Sequence, residues 1–250
     1  MTHHPLAVQL YTLRDAVEQD YLGTLRAVAE LGYGAVELVT LGAYSAEELR
    51  RELDLLGLQV AAMHVGLPEL ERNLPVVLEN IRTLGARHVV CPWLPQERRA
   101  SAASYREVAE ILARVGRESQ SQGVQLCYHH HDFEFSTLDG TNGFEILAQV
   151  DPALLQFEID VYWAAFAGHD PVALLNRLNG RVPLVHLKDM TTDDTPTFAE
   201  VGHGQLDFPA ILSATDAIGV EWLIVEQDRC ARPPLESVGM SLGYLRSIGR

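Results

Sequence analysis

The chain has 250 residues, 47% hydrophobic and 21% charged, enough to bury a sizeable core as one large domain or two smaller ones. Its formal charge is −15, from 34 acidic against 19 basic residues with no compensating Lys/Arg cluster, which argues against nucleic acid and anionic membrane surfaces as partners. Cys91, Cys127 and Cys230 form no CxxC pair, the N-terminus lacks the regions of a signal peptide, and no apolar run approaches the ~20 residues that span a bilayer, so a soluble cytoplasmic protein is expected.

In chain order, apolar runs alternate with segments of helical period. Leu6–Leu10 reads as a first strand, Tyr21–Leu31 as a helix stopped by Gly32, and Ala35–Val39 as a second strand. Ser45-Ala46-Glu47-Glu48 has the spacing of a capping box and opens a helix to Leu56, followed by a strand over Leu58–His64. The pattern continues with a helix at 70–84 and a strand at 87–91. A helix at 101–122 then precedes the fifth strand, which starts at Leu126. Next come a helix at 142–150, a strand at 154–160, a helix at 171–178, a strand at 182–187, a helix at 207–218, a strand at 221–226 and a last helix at 235–248. Eight strand–helix units in this length predict a single (β/α)8 TIM barrel over residues 1–250. An open doubly wound sheet is disfavoured, because Gln9-Leu10-Tyr11-Thr12-Leu13-Arg14 carries no glycine-rich phosphate turn.

Chemistry in such a barrel sits where the strands end. Those ends are rich in ligand-type residues: Gln9, Glu37, His64, Cys91, Tyr128-His129-His130-His131-Asp132-Phe133-Glu134, Asp160, His186 and Glu226. Any one of them alone is more readily a satisfied residue at the edge of the core, and Asp160 or Glu226 alone a helix cap or an ion pair with Lys188 or Arg229. Their convergence points to a divalent-metal site. Glu134, Asp160, His186 and Glu226 stand out as ligands, an oxygen-rich set suited to Mn, Mg or Co rather than structural Zn. Strand alternation puts Glu158 on the same face as Asp160 but deeper, and Lys188 on the face of His186, where it can stabilise a developing oxyanion. Trp163 and Phe166 are candidates for a pocket wall, with plain packing as the alternative. Gly202-His203-Gly204 is too short a signal to imply phosphate binding.

Tyr128-His129-His130-His131-Asp132-Phe133-Glu134-Phe135 resembles the YHNHDFEF motif of the xylose-isomerase-like, or sugar phosphate isomerase/epimerase-type, TIM barrels. Asp160-Val161-Tyr162-Trp163, His186-Leu187-Lys188-Asp189-Met190, Val201-Gly202-His203-Gly204 and Val225-Glu226-Gln227-Asp228 are similar to its later blocks, in order. The resemblance implies a divalent metal, most often Mn, with Mg, Co or Zn as alternatives, held by Glu134, Asp160, His186 and Glu226. It also implies that Glu134 and Glu226 form an acid/base pair on opposite faces of a sugar. Two departures stand out: relatives often carry their first glutamate where this chain has His129, leaving His129 or His131 as the alternative ligand, and His203 replaces an acidic residue. The expectation is a metal-dependent isomerase or epimerase of a small keto- or aldo-sugar, working through an enediolate. His64, His129, His131, Trp163, Lys188 and Arg229 are candidate substrate contacts. The absence of a basic cluster favours an unphosphorylated sugar, and barrels of this kind often form homodimers. The rival readings are an inosose-dehydratase-like lyase, an apurinic endonuclease, which the charge disfavours, and a non-enzymatic sugar- or metal-binding barrel.

Overall fold

In the computed structural model, which describes residues 4–250, eight parallel strands close into a barrel. They are Leu6–Gln9, Ala35–Leu38, Gln59–His64, His88–Cys91, Gln125–His129, Gln156–Asp160, Leu184–Leu187 and Trp222–Val225. Closure is direct: Val8 pairs with Val36 on one side and Val225 on the other. The chain is a (β/α)8 TIM barrel.

The expected helices are present with small shifts at their ends. Ser45 caps Ala46–Leu56 through both bonds of the capping box, at 3.2 and 2.8 Å. The sixth strand begins at Gln156 rather than at 154, because the amides of Leu154 and Leu155 turn back onto the Asp151 carbonyl. The seventh begins at Leu184, after Pro183, which has no N–H for a ladder. Unanticipated elements lie at the strand ends: a 3-10 turn at Leu10–Leu13 running into the helix Arg14–Gln19, a 3-10 turn at Phe133–Phe135, the helix Val161–Phe166, and two short two-stranded ribbons. Among the described residues no helix is long and apolar enough to cross a membrane.

Parity organises the interior. Residues that point outward, such as Val8, Val36, Val89, Leu126, Phe157, Val185 and Val225, belong to the main core under the helices. Ala7, Ala35, Ala62, Val90, Cys127, Leu184 and Ile224 form a separate small-residue cluster inside the barrel. Two residues further along their strands come Gln9, Glu37, His64, His129, His186 and Glu226, so a polar layer rests on an apolar plug. Cys91 ends its strand but belongs to the outer core, because Val90 takes the inward position.

The segment after the seventh strand is tied down by Asp189. Its buried carboxylate accepts backbone N–H bonds from Met190 and Leu206 at Oδ1 and from Gly202 and Gly204 at Oδ2, at 2.7–3.1 Å. A side chain at Gly204 would lie 2.2 Å from the Met190 carbonyl, and Gly202 combines φ +81° with a Cβ position 2.2 Å from the Tyr244 ring. This Gly-x-Gly wraps a carboxylate of its own chain. Asp189→Ala would leave four donors, one buried and three partly buried, without their acceptor. It is expected to cost about 3 kcal/mol or more and to lower the melting temperature by roughly 6–12 °C in calorimetry, and a shift under about 2 °C would contradict this account.

Candidate metal centre and cavity

Two tiers of ionisable side chains stand above the apolar plug. The lower tier contains Glu37, His64 and Glu158, all facing His186. Glu37 Oε2 lies 2.6 Å from His186 Nε2 and accepts a 2.6 Å bond from Gln9 Nε2. His64 Nε2 is 2.8 Å from Glu158 Oε2 and 3.3 Å from Glu37 Oε1. Burial alone would lower the His64 pKa, but these two carboxylates outweigh it and hold the ring up at about 10.

The upper tier is built around Lys188. Its ammonium is buried, 2.9 Å from Asp160 Oδ2 and 2.7 Å from both Glu226 Oε2 and Asp228 Oδ1. Burial works against its charge, yet the three carboxylates raise its pKa well above the ordinary lysine value. The reciprocal effects differ. Burial raises Glu226, but Lys188 and His186 overcome this and hold it well below the carboxylate range. Asp160 is raised to about 6 by burial, which Lys188 and His186 only partly offset. Asp160 Oδ1 caps the helix Val161–Phe166 through the amides of Tyr162 and Trp163, which leaves Oδ2 to face the site.

His129 and His186 pass between the tiers. His186 Nδ1 sits 2.7 Å from Glu226 Oε2 and 4.0 Å from Asp160 Oδ2, while His129 Nε2 is 3.9 Å from Asp160 Oδ2. His129, Asp160, His186 and Glu226 therefore each offer a ligand atom within one 4.8 Å group, and all four are buried. A second group of the same compactness is formed by His64, His129, Glu158 and His186.

The upper tier opens into a cavity of about 520 Å³, lined by Tyr11, Val39, His64, Gly66, Pro92, Trp93, His129, His131, Lys188, Glu226 and Asp228. Tyr11 and Trp93 are the exposed aromatics of its mouth, at 44% and 46%. The lining carries one lysine and no arginine. Of the remaining sequence candidates, Trp163 lies beside the cavity, with its ring 5.4 Å from His131 and 5.9 Å from the Lys188 ammonium. Phe166 is exposed and packs on Tyr162 and Trp163, and Arg229 is exposed and outside the lining.

Glu134 is placed differently from the sequence expectation. It belongs to neither ligand group and does not line the cavity. The strand ends at His129, and the 3-10 turn at Phe133–Phe135 folds Glu134 back, so that Oε1 accepts from the Tyr128 hydroxyl and Oε2 from the His131 amide at 2.8 Å. His129 is the residue this strand sends into the upper group. From sequence, Gln9 and Glu37 count only as polar strand ends with no assigned role, and Asp228 has none, although the inward parity of the first two is readable two residues after Ala7 and Ala35.

The model of the xylose isomerase-like TIM barrel family matches residues 25–248. The chain belongs to this family. Among its curated relatives is the inosose dehydratase of Geobacillus kaustophilus, 27% identical over 93% of this chain and 88% of that protein. Among solved structures, a sugar phosphate isomerase/epimerase of Parabacteroides distasonis superposes with a TM-score of 0.84 at 24% identity, covering 100% of this chain and 96% of the other. The IOLI protein, solved with a bound zinc atom, gives a TM-score of 0.76 at 17% identity over 98% and 97% of the two chains.

The position of Glu134 generates a pH prediction. Burial pushes its carboxyl up to about 7, against the lowering effect of the Tyr128 hydroxyl and the His131 amide. A group raised on folding stabilises fully below its unfolded pKa and loses that contribution as pH rises through the folded one. The stability difference between the wild type and Glu134→Gln should therefore shrink as pH rises from about 4.5 to 7.5, then level off. Denaturant melts across that range test this, and a difference that grows with pH would contradict it.

Proposed function

We propose that this family member is a metal-dependent enzyme that removes a proton next to a carbonyl of an uncharged polyhydroxy ketone and expels water from the neighbouring carbon. The arrangement that carries this reading is Lys188 set among Asp160, Glu226 and Asp228 at the floor of the cavity, beside a compact His/carboxylate group.

The donor set fits a divalent ion. Asp160 Oδ2 is buried and has no hydrogen-bond partner in good geometry, although Lys188 Nζ is 2.9 Å away. Even with Asp228 protonated, Glu37, Glu158, Asp160 and Glu226 outnumber Lys188 and His64, and against burial they also favour a charged His186, an excess of negative charge that a dication offsets. His129, Asp160, His186 and Glu226 would hold it. Two imidazoles and two carboxylates suit Mn, Co or Zn, and the zinc of the IOLI protein is consistent with that choice. When bound, such an ion supplies Lewis-acid polarisation of a carbonyl oxygen.

The chain's own residues account for the rest. Lys188 remains charged and stabilises negative charge developing on a substrate oxygen. His131 lines the cavity with an unpartnered Nδ1, which places an acceptor for the carbon-bound proton there, although burial makes this ring a weaker base than a free imidazole. Asp228, raised by burial against the opposing pull of Lys188, can hold a proton for the departing hydroxyl. In the elimination the C–H bond gives its proton to His131, a C=C bond forms, and the C–O bond breaks as Asp228 protonates the leaving oxygen to water. With Lys188 already matched by three carboxylates, the lining offers no free cation for a phosphate, which favours an uncharged substrate. Tyr11 and Trp93 supply flat apolar faces for the C–H side of a ring.

Loss of water is preferred over epimerisation because the Glu134–Glu226 acid/base pair that the family resemblance implies is not assembled, Glu134 being bonded to Tyr128 and the His131 amide away from the cavity. The inosose dehydratase relatives point the same way. The test is incubation with inososes, 3-keto-sugars and ketoses in deuterated water, with Mn added and then chelated. Metal-dependent dehydrated product from an inosose, reduced about 10²–10⁴-fold in His131→Asn, is the expected result. Labelled but undehydrated substrate would transfer the assignment to isomerase or epimerase. Glu134→Gln should leave Mn affinity within about twofold, whereas His129→Ala should weaken it by more than the ~100-fold that loss of an outer partner can cost. The reverse pattern in calorimetric titration would restore Glu134 as ligand.

A further inference from the structure

Both histidines of the upper group present two nitrogens to two different tiers. His186 turns Nδ1 to Glu226 and Asp160, and Nε2 to Glu37 at 2.6 Å and Glu158 at 3.1 Å. His129 turns Nε2 towards Asp160, and its Nδ1 lies 3.0 Å from Glu158 Oε2 but outside hydrogen-bond geometry. A ring nitrogen that carries a proton cannot coordinate an ion, so fixing the proton on the lower nitrogen leaves the upper lone pair free.

We propose that Glu37 and Glu158 are positioning residues for the metal centre, Glu37 holding the lower N–H of His186 and Glu158 drawing the His129 proton to Nδ1 by its charge 3.0 Å away, with Gln9 and His64 fixing the two carboxylates. This inference rests on the metal reading given above. The backbone places the members side by side: Gln9 pairs with Glu37, His129 with Glu158, and Asp160 with His186 across adjacent strands. Gln9 is itself oriented, accepting the Tyr11 amide at Oε1 while donating to Glu37. His64 donates to Glu158 and stacks on His186 at 5.6 Å with the ring planes 9° apart.

The lower group of His64, His129, Glu158 and His186 has the compactness of a second metal site. The shared imidazoles oppose that use. With the upper site filled, an ion there would require His186 and His129 each to ligate through both nitrogens and give up their last protons.

The test combines Mn titration calorimetry with the visible spectrum of the Co(II)-loaded protein, on wild type, Glu37→Gln and Glu158→Gln, with melting curves to confirm folding. The expected result is one ion per wild-type chain, affinity weakened about 10–100-fold in both variants, and shifted cobalt bands that a merely structural role would not produce. Glu134→Gln, a buried carboxylate outside this network, should change neither readout. If the two carboxylate variants do not fold, Gln9→Met removes the donor to Glu37, together with the acceptor of the Tyr11 amide, and should still shift the cobalt bands. One ion with unchanged affinity and spectrum in the variants would overturn the inference, as would two ions per wild-type chain. No ion in the wild type would instead overturn the metal reading on which it rests.

Discussion

Lys188 is the buried cation that makes the barrel mouth possible. Asp160 ends the sixth strand while Glu226 and Asp228 follow the eighth, and at such separations bare carboxylates would repel strongly enough to protonate. One ammonium within 2.9 Å of all three removes most of that repulsion and fixes the distances between the sixth, seventh and eighth strands. Asp189, the next residue, faces the other way and gathers the amides of the following segment, so adjacent residues hold the site floor and its wall. The small residues beneath, Ala7, Ala35, Ala62 and Cys127, leave the polar tier no room to sink.

The same constraint gives the lower tier its chemical meaning. Glu37 and Glu158 are fully buried, a position that carboxylates hold only with charge partners and donors. His64, His186 and Gln9 provide them. Replacing that network by apolar residues of equal size would be near neutral for stability by the usual balance for buried ion pairs. Its presence is therefore better explained by what it does to the two imidazoles above it than by what it does for the fold.

Much of this was legible in the sequence because a strand has a period of two and a barrel has one inside. Glu158 and Asp160, and His186 and Lys188, fall on the inner face by counting alone, with Asp160 above Glu158, and the structure places them so. Counting fails where the strand stops. Beyond His129 the chain enters a turn and then a 3-10 segment, so the position of Glu134 depends on a tertiary choice: its carboxylate satisfies the Tyr128 hydroxyl and the His131 amide. The family resemblance marks His129 as the position where relatives carry a glutamate and leaves His129 or His131 as the alternative to Glu134, and in the structure the inward alternation from Cys127 reaches His129. Gln9 and Glu37 were visible as strand ends, but their joint role appears only once barrel closure sets the first strand beside the second.

The most direct test of the account is a crystal structure of the protein with Mn, recorded at a wavelength where Mn scatters anomalously. One strong anomalous peak per chain is predicted, within coordinating reach of His129, Asp160, His186 and Glu226, with Glu134 still bonded to Tyr128. A peak ligated by Glu134, or one lying in the lower tier between His64 and Glu158, would contradict it.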